Sequence, residues 1–120
     1  MSESKIHTGG CHCGKVRYQA TLDLLKPVIA CNCSMCGRAG TLLSFVPAAQ
    51  FTLQSGQEEL ISYQFNKHVI DHLFCRVCGV KSFARGKSAD GGEMAAINVR
   101  CLDNVELDQL TVTKFDGQSR

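Results

Sequence analysis

The chain has 120 residues, 44% of them hydrophobic and 20% charged, so we expect a single domain over residues 1–120 rather than a disordered or collagen-like polypeptide. Its apolar runs are far shorter than the ~20 residues of a membrane span, and its start does not resemble a secretory signal, so we expect a cytoplasmic protein without a membrane partner. The formal net charge of +2 and the absence of a Lys/Arg run give no reason to expect a nucleic-acid partner.

Short stretches separated by turn residues follow one another along the chain. Residues 1–8 are polar and expected to be loose, residues 37–40 are expected to form a loop, and residues 47–50 are compatible with one helical turn. A turn at Ser55-Gly56 predicts a hairpin between the strands on either side of it. In chain order, the predicted strands are residues 16–22, 28–30, 41–46, 51–53, 60–65, 72–74, 81–84, 94–102 and 111–115, with a loop at residues 88–92.

The pattern as a whole favours a mainly β fold. No segment carries a sustained apolar stripe at helical spacing over a dozen residues, and no internal repeat or linker interrupts the chain. Of the predicted strands, residues 94–102 form the longest candidate. We therefore expect many short strands and little helix.

Seven of the eight cysteines fall in tight clusters, which favours metal binding over disulfide bonds. Structural disulfides are rare in reducing compartments, and their partners are often distant in sequence. Zinc is held by sulfurs that short spacings bring together. If seven thiols ionise and two Zn²⁺ ions bind, the formal charge falls from +2 to −1. The clusters are Cys11-x-Cys13, Cys31-x-Cys33-x-x-Cys36 and Cys75-x-x-Cys78.

The Cys75-x-x-Cys78 knuckle, which Gly79 follows, directs two sulfurs at one metal ion. Because zinc takes four tetrahedral ligands, a closed site needs a second pair: either the N-terminal pair or two of the three central cysteines. If the N-terminal pair joins the knuckle, the central three form a separate site. One coordination position there is then left for water or substrate, the pattern of a reactive zinc.

The fourth ligand of such a central site decides its chemistry. A protein ligand would make the site structural, and the candidates are Cys101, His72, His68 and His12; of these, Cys101 is more simply explained as a core residue. With the position open, three thiolates leave zinc a poor activator of water but a good anchor for another soft ligand. The sequence also lacks the His-Glu-x-x-His motif of zinc hydrolases. Thiol chemistry is the resulting hypothesis.

Several motifs together resemble the glutathione-dependent formaldehyde-activating enzyme family, which also contains the domain of centromere protein V. The likeness extends from Gly10 to Gly117 and is greatest to the short bacterial members. The motifs are GCHCGKV at residues 10–16, CNCSMC at 31–36, HLFCRVCG at 72–79, NVRCLD at 98–103 and FDG at 115–117.

The resemblance implies a small zinc-stapled, mainly β fold of short antiparallel strands in two packed sheets, the beta-tent type. It also implies a carbon–sulfur lyase that joins formaldehyde to the thiol of glutathione, giving S-(hydroxymethyl)glutathione. The expected partners are glutathione or a similar small thiol and a small aldehyde, and the expected cofactor is two Zn²⁺ ions. By this resemblance, Cys11, Cys13, Cys75 and Cys78 hold a structural zinc, and Cys31, Cys33 and Cys36 hold the catalytic zinc.

Other polar residues are candidates for the site. His72 either faces the open zinc or is a core or supporting histidine, and Arg38 either clamps a substrate carboxylate or lies in a solvated loop. The backbone N–H groups of Asn32 and Ser34 are expected to bond to thiolates. The remaining candidates are cations for an anionic ligand, Lys67, Arg85 and Arg100, and the aromatic residues expected in the core, Tyr63, Phe65 and Phe74.

Two other functions are compatible with the pattern. One is a zinc-stapled binding module without catalysis, although the basic and aromatic residues that interleave in nucleic-acid binders are lacking. The other is a redox or metal sensor that uses the three central thiols.

Overall fold

A computed structural model describes residues 4–64, 70–87 and 91–115, and within them the chain forms ten strands and one α-helix. Some predicted features lie outside the described residues: Phe65, Lys67, His68, part of the loop at residues 88–92, and the end of the FDG motif. The strands are β1 (Lys5–Gly10), β2 (Arg17–Leu22), β3 (Val28–Cys31), β4 (Leu43–Pro47), β5 (Phe51–Ser55), β6 (Leu60–Tyr63), β7 (Asp71–Cys75), β8 (Phe83–Lys87), β9 (Glu93–Asn98) and β10 (Val112–Phe115), and the helix is α1 (Ser34–Ala39).

The strands form two sheets, which confirms the predicted mainly β architecture. The small sheet has the order β1-β2-β5, and the large sheet has the order β10-β3-β4-β9-β8-β7-β6. Every pair is antiparallel except β10 with β3, which is parallel and so departs from the expected antiparallel pattern. Between β9 and β10 the chain makes two 3₁₀ turns, Val99–Cys101 and Leu107–Gln109, and it reaches the edge of the sheet running in the same direction as β3.

The core lies between the two sheets. Strand β2 alternates as predicted, so that Tyr18, Ala20 and Leu22 are buried while the residues between them are partly exposed. The ring of Tyr18 packs edge-on against Phe83 of the large sheet, with ring centroids 5.6 Å apart. Its hydroxyl donates a hydrogen bond of 2.9 Å to the carbonyl oxygen of Ser82, which satisfies the one polar atom of a fully buried ring.

The opposite face of the large sheet, here called the outer face, carries a second and smaller apolar cluster. Its members from the sheet are Leu43, Ala84 and Ala96, and Cys36 of helix α1 packs against them. Strand register places His72 directly opposite Ala84, and Ala84 directly opposite Ala96. Residues paired in this way share one face of a sheet. His72 and helix α1 therefore lie on the same face of the large sheet.

Helix α1 replaces the loop predicted for residues 37–40. Its N-cap is Cys33, whose sulfur accepts a hydrogen bond from the backbone N–H of Cys36, and its C-cap is Gly40 in the left-handed conformation at φ 70°. Glycine adopts this conformation without the strain that a Cβ atom brings. A sulfur is not among the usual capping groups, so the start of the helix has no ordinary sequence signal.

The predicted hairpin across Ser55-Gly56 is wrong. Strand β5 pairs with β2 in the small sheet, whereas β6 pairs with β7 in the large sheet. Between them, Gly56 has φ 90° and is followed by a 3₁₀ turn at Gln57–Glu59. A Cβ atom on Gly56 would lie 2.4 Å from the carbonyl oxygen of Lys15. The glycine therefore allows the chain to cross between sheets, rather than to turn back on itself.

Two further predictions differ from the structure, one at the start of the chain and one at the end of the longest predicted strand. The polar start contains a strand, β1, which pairs with β2 along its whole length. The strand predicted at residues 94–102 ends at Asn98, because its side-chain oxygen accepts a hydrogen bond from the N–H of Arg100 and caps a 3₁₀ turn. Within the ranges given above, the helices are too short and too polar to span a bilayer.

Candidate metal centres

Four cysteines from two distant parts of the chain lie close together. The sulfurs of Cys11, Cys13, Cys75 and Cys78 all lie within 4.8 Å of one another. The Cys11–Cys13 and Cys13–Cys75 pairs are 3.5 and 3.6 Å apart. A tetrahedral zinc with Zn–S bonds of about 2.3 Å requires sulfurs about 3.8 Å apart. The four sulfurs therefore fit a tetrahedral metal ion.

The two halves of this four-cysteine group are shaped by backbone hydrogen bonds. In the turn between β1 and β2, the N–H of Val16 donates to the sulfur of Cys11 (3.3 Å), and the N–H of Cys11 donates to the carbonyl of Val16 (3.0 Å). In the knuckle after β7, the N–H of Val77 donates to the sulfur of Cys75 (3.4 Å). Such N–H donors stabilise the thiolate form that binds metal.

The segment at residues 55–59, which crosses from the small sheet to the large one, contacts both halves of the four-cysteine group. At one end, the hydroxyl of Ser55 donates to the carbonyl of Lys15 (3.1 Å), in the N-terminal cysteine turn. At the other end, Glu59 accepts a hydrogen bond of 2.7 Å from the side chain of Arg76, within the knuckle. The N–H of Arg76 also donates to the carbonyl of Glu59 (2.8 Å). The four-cysteine group therefore joins the small sheet to the large one.

The three remaining clustered cysteines form a second group at the end of β3 and the start of α1. The sulfurs of Cys31, Cys33 and Cys36 lie within 4.8 Å of one another. The N–H of Cys33 donates to the sulfur of Cys31 (3.4 Å), and the N–H of Cys36 donates to the sulfur of Cys33 (3.3 Å). Both donors belong to cysteines; the N–H of Asn32, which was expected to be one, instead donates to the carbonyl of Phe115 (3.1 Å).

The thiols of the three-cysteine group differ in their acidity. Burial raises the pKa of Cys36 to about 12, and the hydrogen bond with Cys33 acts in the same direction. At Cys33, burial also acts to raise the pKa, but the N–H of Cys36 and the neighbouring thiols outweigh it and lower the pKa. Metal binding needs all three as thiolates, and a divalent ion supplies the positive charge that offsets their repulsion.

The predicted fourth ligands of this group lie elsewhere, in so far as the structure describes them. The sulfur of Cys101 lies 3.6 Å from the side-chain nitrogen of Asn98, and burial raises its pKa to about 11. His12 is exposed in the N-terminal cysteine turn, and His68 falls outside the described residues. Among the described histidines, cysteines and acidic residues, the group that converges here consists of the three central cysteines alone.

His72 has a partner that the sequence did not indicate. Its Nδ1 atom lies 2.7 Å from the ammonium nitrogen of Lys81, and both residues are buried. Burial and the nearby ammonium together lower the pKa of His72 to about 4. The available signal was weak: Lys81 begins the predicted strand at residues 81–84, and buried lysines are rare unless they are paired.

The other predicted cations do not gather around the three-cysteine group. Arg38 is exposed and donates to the carbonyl of Ser34 (3.1 Å), on its own helix. The guanidinium of Arg85 lies over the rings of Phe51 and Phe83, at 5.6 and 5.4 Å from their centroids. Tyr63, which was predicted to be in the core, is half exposed.

A groove lies on the outer face beside the three-cysteine group. It has a volume of about 210 Å³, and its floor includes Ala84 and Ala96, the small residues against which Cys36 packs. Phe45 and Ile70 form apolar walls, and Lys87 is among the residues that line it. The groove and the three-cysteine group are therefore linked through Ala84 and Ala96, which belong to the same apolar cluster as Cys36.

Comparison with known proteins finds similarity to a family and to solved structures. The model of the family described as "Glutathione-dependent formaldehyde-activating enzyme" matches residues 6–114. A crystal structure of a Rhodobacter sphaeroides protein, solved in a structural genomics programme, is similar to this chain with a TM-score of 0.73 and 28% sequence identity. The similarity covers 88% of this chain and 99% of that chain.

Proposed function

The chain belongs to the glutathione-dependent formaldehyde-activating enzyme family, and from that premise we propose that it is a zinc enzyme of thiol–aldehyde chemistry. The reaction adds a small thiol such as glutathione to a small aldehyde such as formaldehyde, and the product is an S-(hydroxyalkyl) adduct. This makes the protein a carbon–sulfur lyase when the reaction is named in the reverse direction. The observation that carries the proposal is the three-sulfur group beside the groove.

The two cysteine groups have different roles in this proposal. The four sulfurs of Cys11, Cys13, Cys75 and Cys78 hold a structural zinc, because four ligands complete the coordination of the ion. The three central cysteines, Cys31, Cys33 and Cys36, hold the catalytic zinc. Three protein ligands leave one position for a substrate, as in other catalytic zinc sites.

Binding of the thiol is the first requirement of the reaction. A zinc ion held by the three central cysteines would lower the pKa of a thiol that takes its fourth position, so that the sulfur reacts as a thiolate at neutral pH. The protein's own contribution is to bury one side of the group: Cys36, on helix α1, is buried, whereas Cys31 and Cys33 are partly exposed. The N–H groups of Cys33 and Cys36 keep the ligand sulfurs in position.

The groove supplies the space for the rest of the substrate. Its apolar walls at Phe45 and Ile70 suit the carbon chain of a small thiol. Lys87 lines the same groove and can attract a carboxylate of glutathione. Substrate and reacting sulfur are thereby kept on one face of the large sheet.

The decisive experiment is a comparison of Cys33→Ser with Cys101→Ser. Cys101 lies outside both cysteine groups and serves as the matched control. We expect the wild type and Cys101→Ser to hold two zinc ions per chain, to bind glutathione in calorimetry and to form the adduct with formaldehyde. Cys33→Ser should hold one zinc, stay folded, and lose glutathione binding and at least ~100-fold in rate.

Three outcomes would contradict the proposal. Unfolding of Cys33→Ser under conditions where Cys101→Ser folds would make the central group structural. Glutathione binding that is unchanged in Cys33→Ser would separate the thiol site from the metal. Reversible formation of a disulfide among the central cysteines, with release of zinc from the wild type, would indicate a sensor instead.

A further inference from the structure

A buried ammonium group lies beside the three-cysteine group. Lys81 is only 8% exposed, and its Nζ atom lies 2.7 Å from Nδ1 of His72, which is 4% exposed. A charged Lys81 can only donate hydrogen bonds, so in that state Nδ1 of His72 is the acceptor and the ring proton is on Nε2. A neutral imidazole accepts the hydrogen bond but carries no charge to neutralise the ammonium. Some other group must therefore supply the negative charge.

The three-cysteine group is the source of that charge. His72 lies opposite Ala84 in neighbouring strands, and Cys36 packs against Ala84 and Ala96 on the same face. Burial lowers the pKa of Lys81, and the negative charges of Cys36, Cys33 and Cys31 act against this lowering. Three thiolates around a divalent ion carry a net charge of −1. One ammonium therefore neutralises the centre that it faces.

The main chain of Lys81 is fixed on both sides. Its carbonyl oxygen accepts a hydrogen bond of 2.9 Å from the side-chain nitrogen of Asn98. Immediately before it, the carbonyl of Val80 accepts a hydrogen bond of 3.1 Å from the N–H of Cys75. The backbone of Lys81 is therefore tied to the strand that precedes the knuckle and to Asn98 at the end of β9. His72 then fixes the end of the side chain.

We propose that Lys81 is the catalytic residue that binds the aldehyde oxygen and protonates it, and that His72 is its positioning residue. This inference rests on the proposed function. When the thiolate sulfur forms its bond to the carbonyl carbon, the π electron pair of the C=O bond moves to the oxygen. The ammonium of Lys81 donates a hydrogen bond to this oxygen and then transfers a proton to it. The proton lost by the next substrate thiol restores the ammonium, so the sum is one thiol plus one aldehyde giving one adduct.

A fixed donor aimed at a developing oxyanion typically contributes 10²–10³-fold in rate, which sets the expected size of the effect. We expect Lys81→Met to lower kcat about 100-fold or more, while the KM for the thiol changes by less than about threefold. Lys81→Arg keeps a cationic donor and should recover part of the loss. Lys26→Met, which removes an exposed lysine from the turn before β3, is the control and should match the wild type.

A second readout does not depend on catalysis. In the zinc-loaded protein, ¹⁵N NMR of the ring of His72 should show Nδ1 as an unprotonated acceptor and Nε2 as protonated. Lys81→Met should shift the Nδ1 resonance, whereas Lys26→Met should leave it in place. A proton on Nδ1 in the wild type would overturn the positioning role of His72. The zinc count should stay at two per chain in all variants.

The outcomes separate this inference from the proposed function. A wild type that forms no adduct overturns both. A wild type that forms the adduct while Lys81→Met keeps its kcat within threefold overturns the role of Lys81 alone. If Lys81→Met loses its cooperative unfolding transition, Lys81→Gln takes its place, because its amide still donates to His72 without carrying charge. The same loss of kcat is then expected, and a rate like that of the wild type would again overturn the proposal.

Discussion

The four-cysteine group draws its sulfurs from two regions far apart in the chain, whereas the three-cysteine group draws all of its sulfurs from residues 31–36. In the first group, a metal ion would close a long loop from Cys13 to Cys75 and tie the small sheet to the large one. In the second, it would close only one helical turn. A cross-link across a long loop removes far more freedom from the unfolded chain than one across a short loop.

The residues that surround the two cysteine groups also differ. Around the four-cysteine group, backbone hydrogen bonds and the crossing segment at residues 55–59 connect elements of both sheets. Near the three-cysteine group, on the outer face, lie a groove, a short helix and the buried pair of Lys81 and His72. In the proposed function, the first arrangement serves stability and the second serves binding. Perturbing one group at a time therefore tests the comparison.

The largest expected effect is the loss of the fold in Cys75→Ser. Structural zinc sites contribute about 10–16 kcal/mol of binding free energy at neutral pH. The whole stability of a domain is only ~5–15 kcal/mol. We expect Cys75→Ser to lack a cooperative thermal transition and to expose its amides to hydrogen exchange, whereas Cys33→Ser keeps the transition. Cooperative unfolding of Cys75→Ser with one zinc still bound would show that the fold does not depend on the zinc of the four-cysteine group.

The cysteine grouping was predictable from the sequence because it depends on local spacing. Residues 31–36 and the knuckle at 75–78 bring sulfurs together within one turn, whatever the rest of the chain does. The union of the N-terminal pair with the knuckle is different, since spacing alone left two pairings open. The resemblance to the family supplied that choice, and the distances between the sulfurs agree with it. The alternation in β2 likewise identified its buried face.

The features that the sequence did not reveal all depend on tertiary contacts. Helix α1 begins at a sulfur cap, and its six residues are too few for a helical periodicity to be visible. The hairpin prediction failed because a Ser-Gly turn between two β-rich stretches is compatible with either a reversal or a crossing. The pairing of Lys81 with His72 joins residues whose side chains meet only after β7 and β8 pair.

A smaller effect is expected from Gly56→Ala, with Gly40→Ala as its counterpart at the other group. A Cβ at Gly56 would meet backbone atoms of Lys15 and Val16 at 2.4 and 2.7 Å, next to the N-terminal cysteine turn. Left-handed strain of about 1–2 kcal/mol and overpacking of about 1–3 kcal/mol together predict a loss of about 2–5 kcal/mol in the free energy of unfolding. Gly40 has open space around its Cβ position, so its replacement should cost only the strain.

Chemical denaturation and zinc competition with a chelator measure both variants of this pair. Gly56→Ala should weaken the zinc of the four-cysteine group, because it displaces the turn that carries Cys11. Gly40→Ala, at the end of helix α1, should leave that zinc unchanged. Equal losses of stability in the two variants would contradict this contrast between the four-cysteine and three-cysteine groups. Weakening of the same zinc by both variants would contradict it as well.

The smallest effect concerns acid. Because burial and the ammonium of Lys81 lower the pKa of His72 to about 4, the unfolded chain, whose histidine titrates near 6.5, binds the proton more tightly than the folded chain. The stability due to neutral His72 is therefore complete above pH 6.5, declines as the pH falls, and is gone below about pH 4. The carboxylate of Asp71 acts against this shift. The difference amounts to at most about 3 kcal/mol.

His72→Gln isolates this contribution, since its amide oxygen still accepts from Lys81 but does not titrate. Acid also protonates the cysteine ligands, but it does so in the wild type and the variant alike. The difference between their free energies of unfolding should therefore shrink between pH 6.5 and pH 4, because only the wild type loses stability through this histidine. A difference that stays constant over this range would mean that the imidazole is already accessible to protons in the folded chain. Solvent that reaches the three-cysteine group would then reach His72 as well.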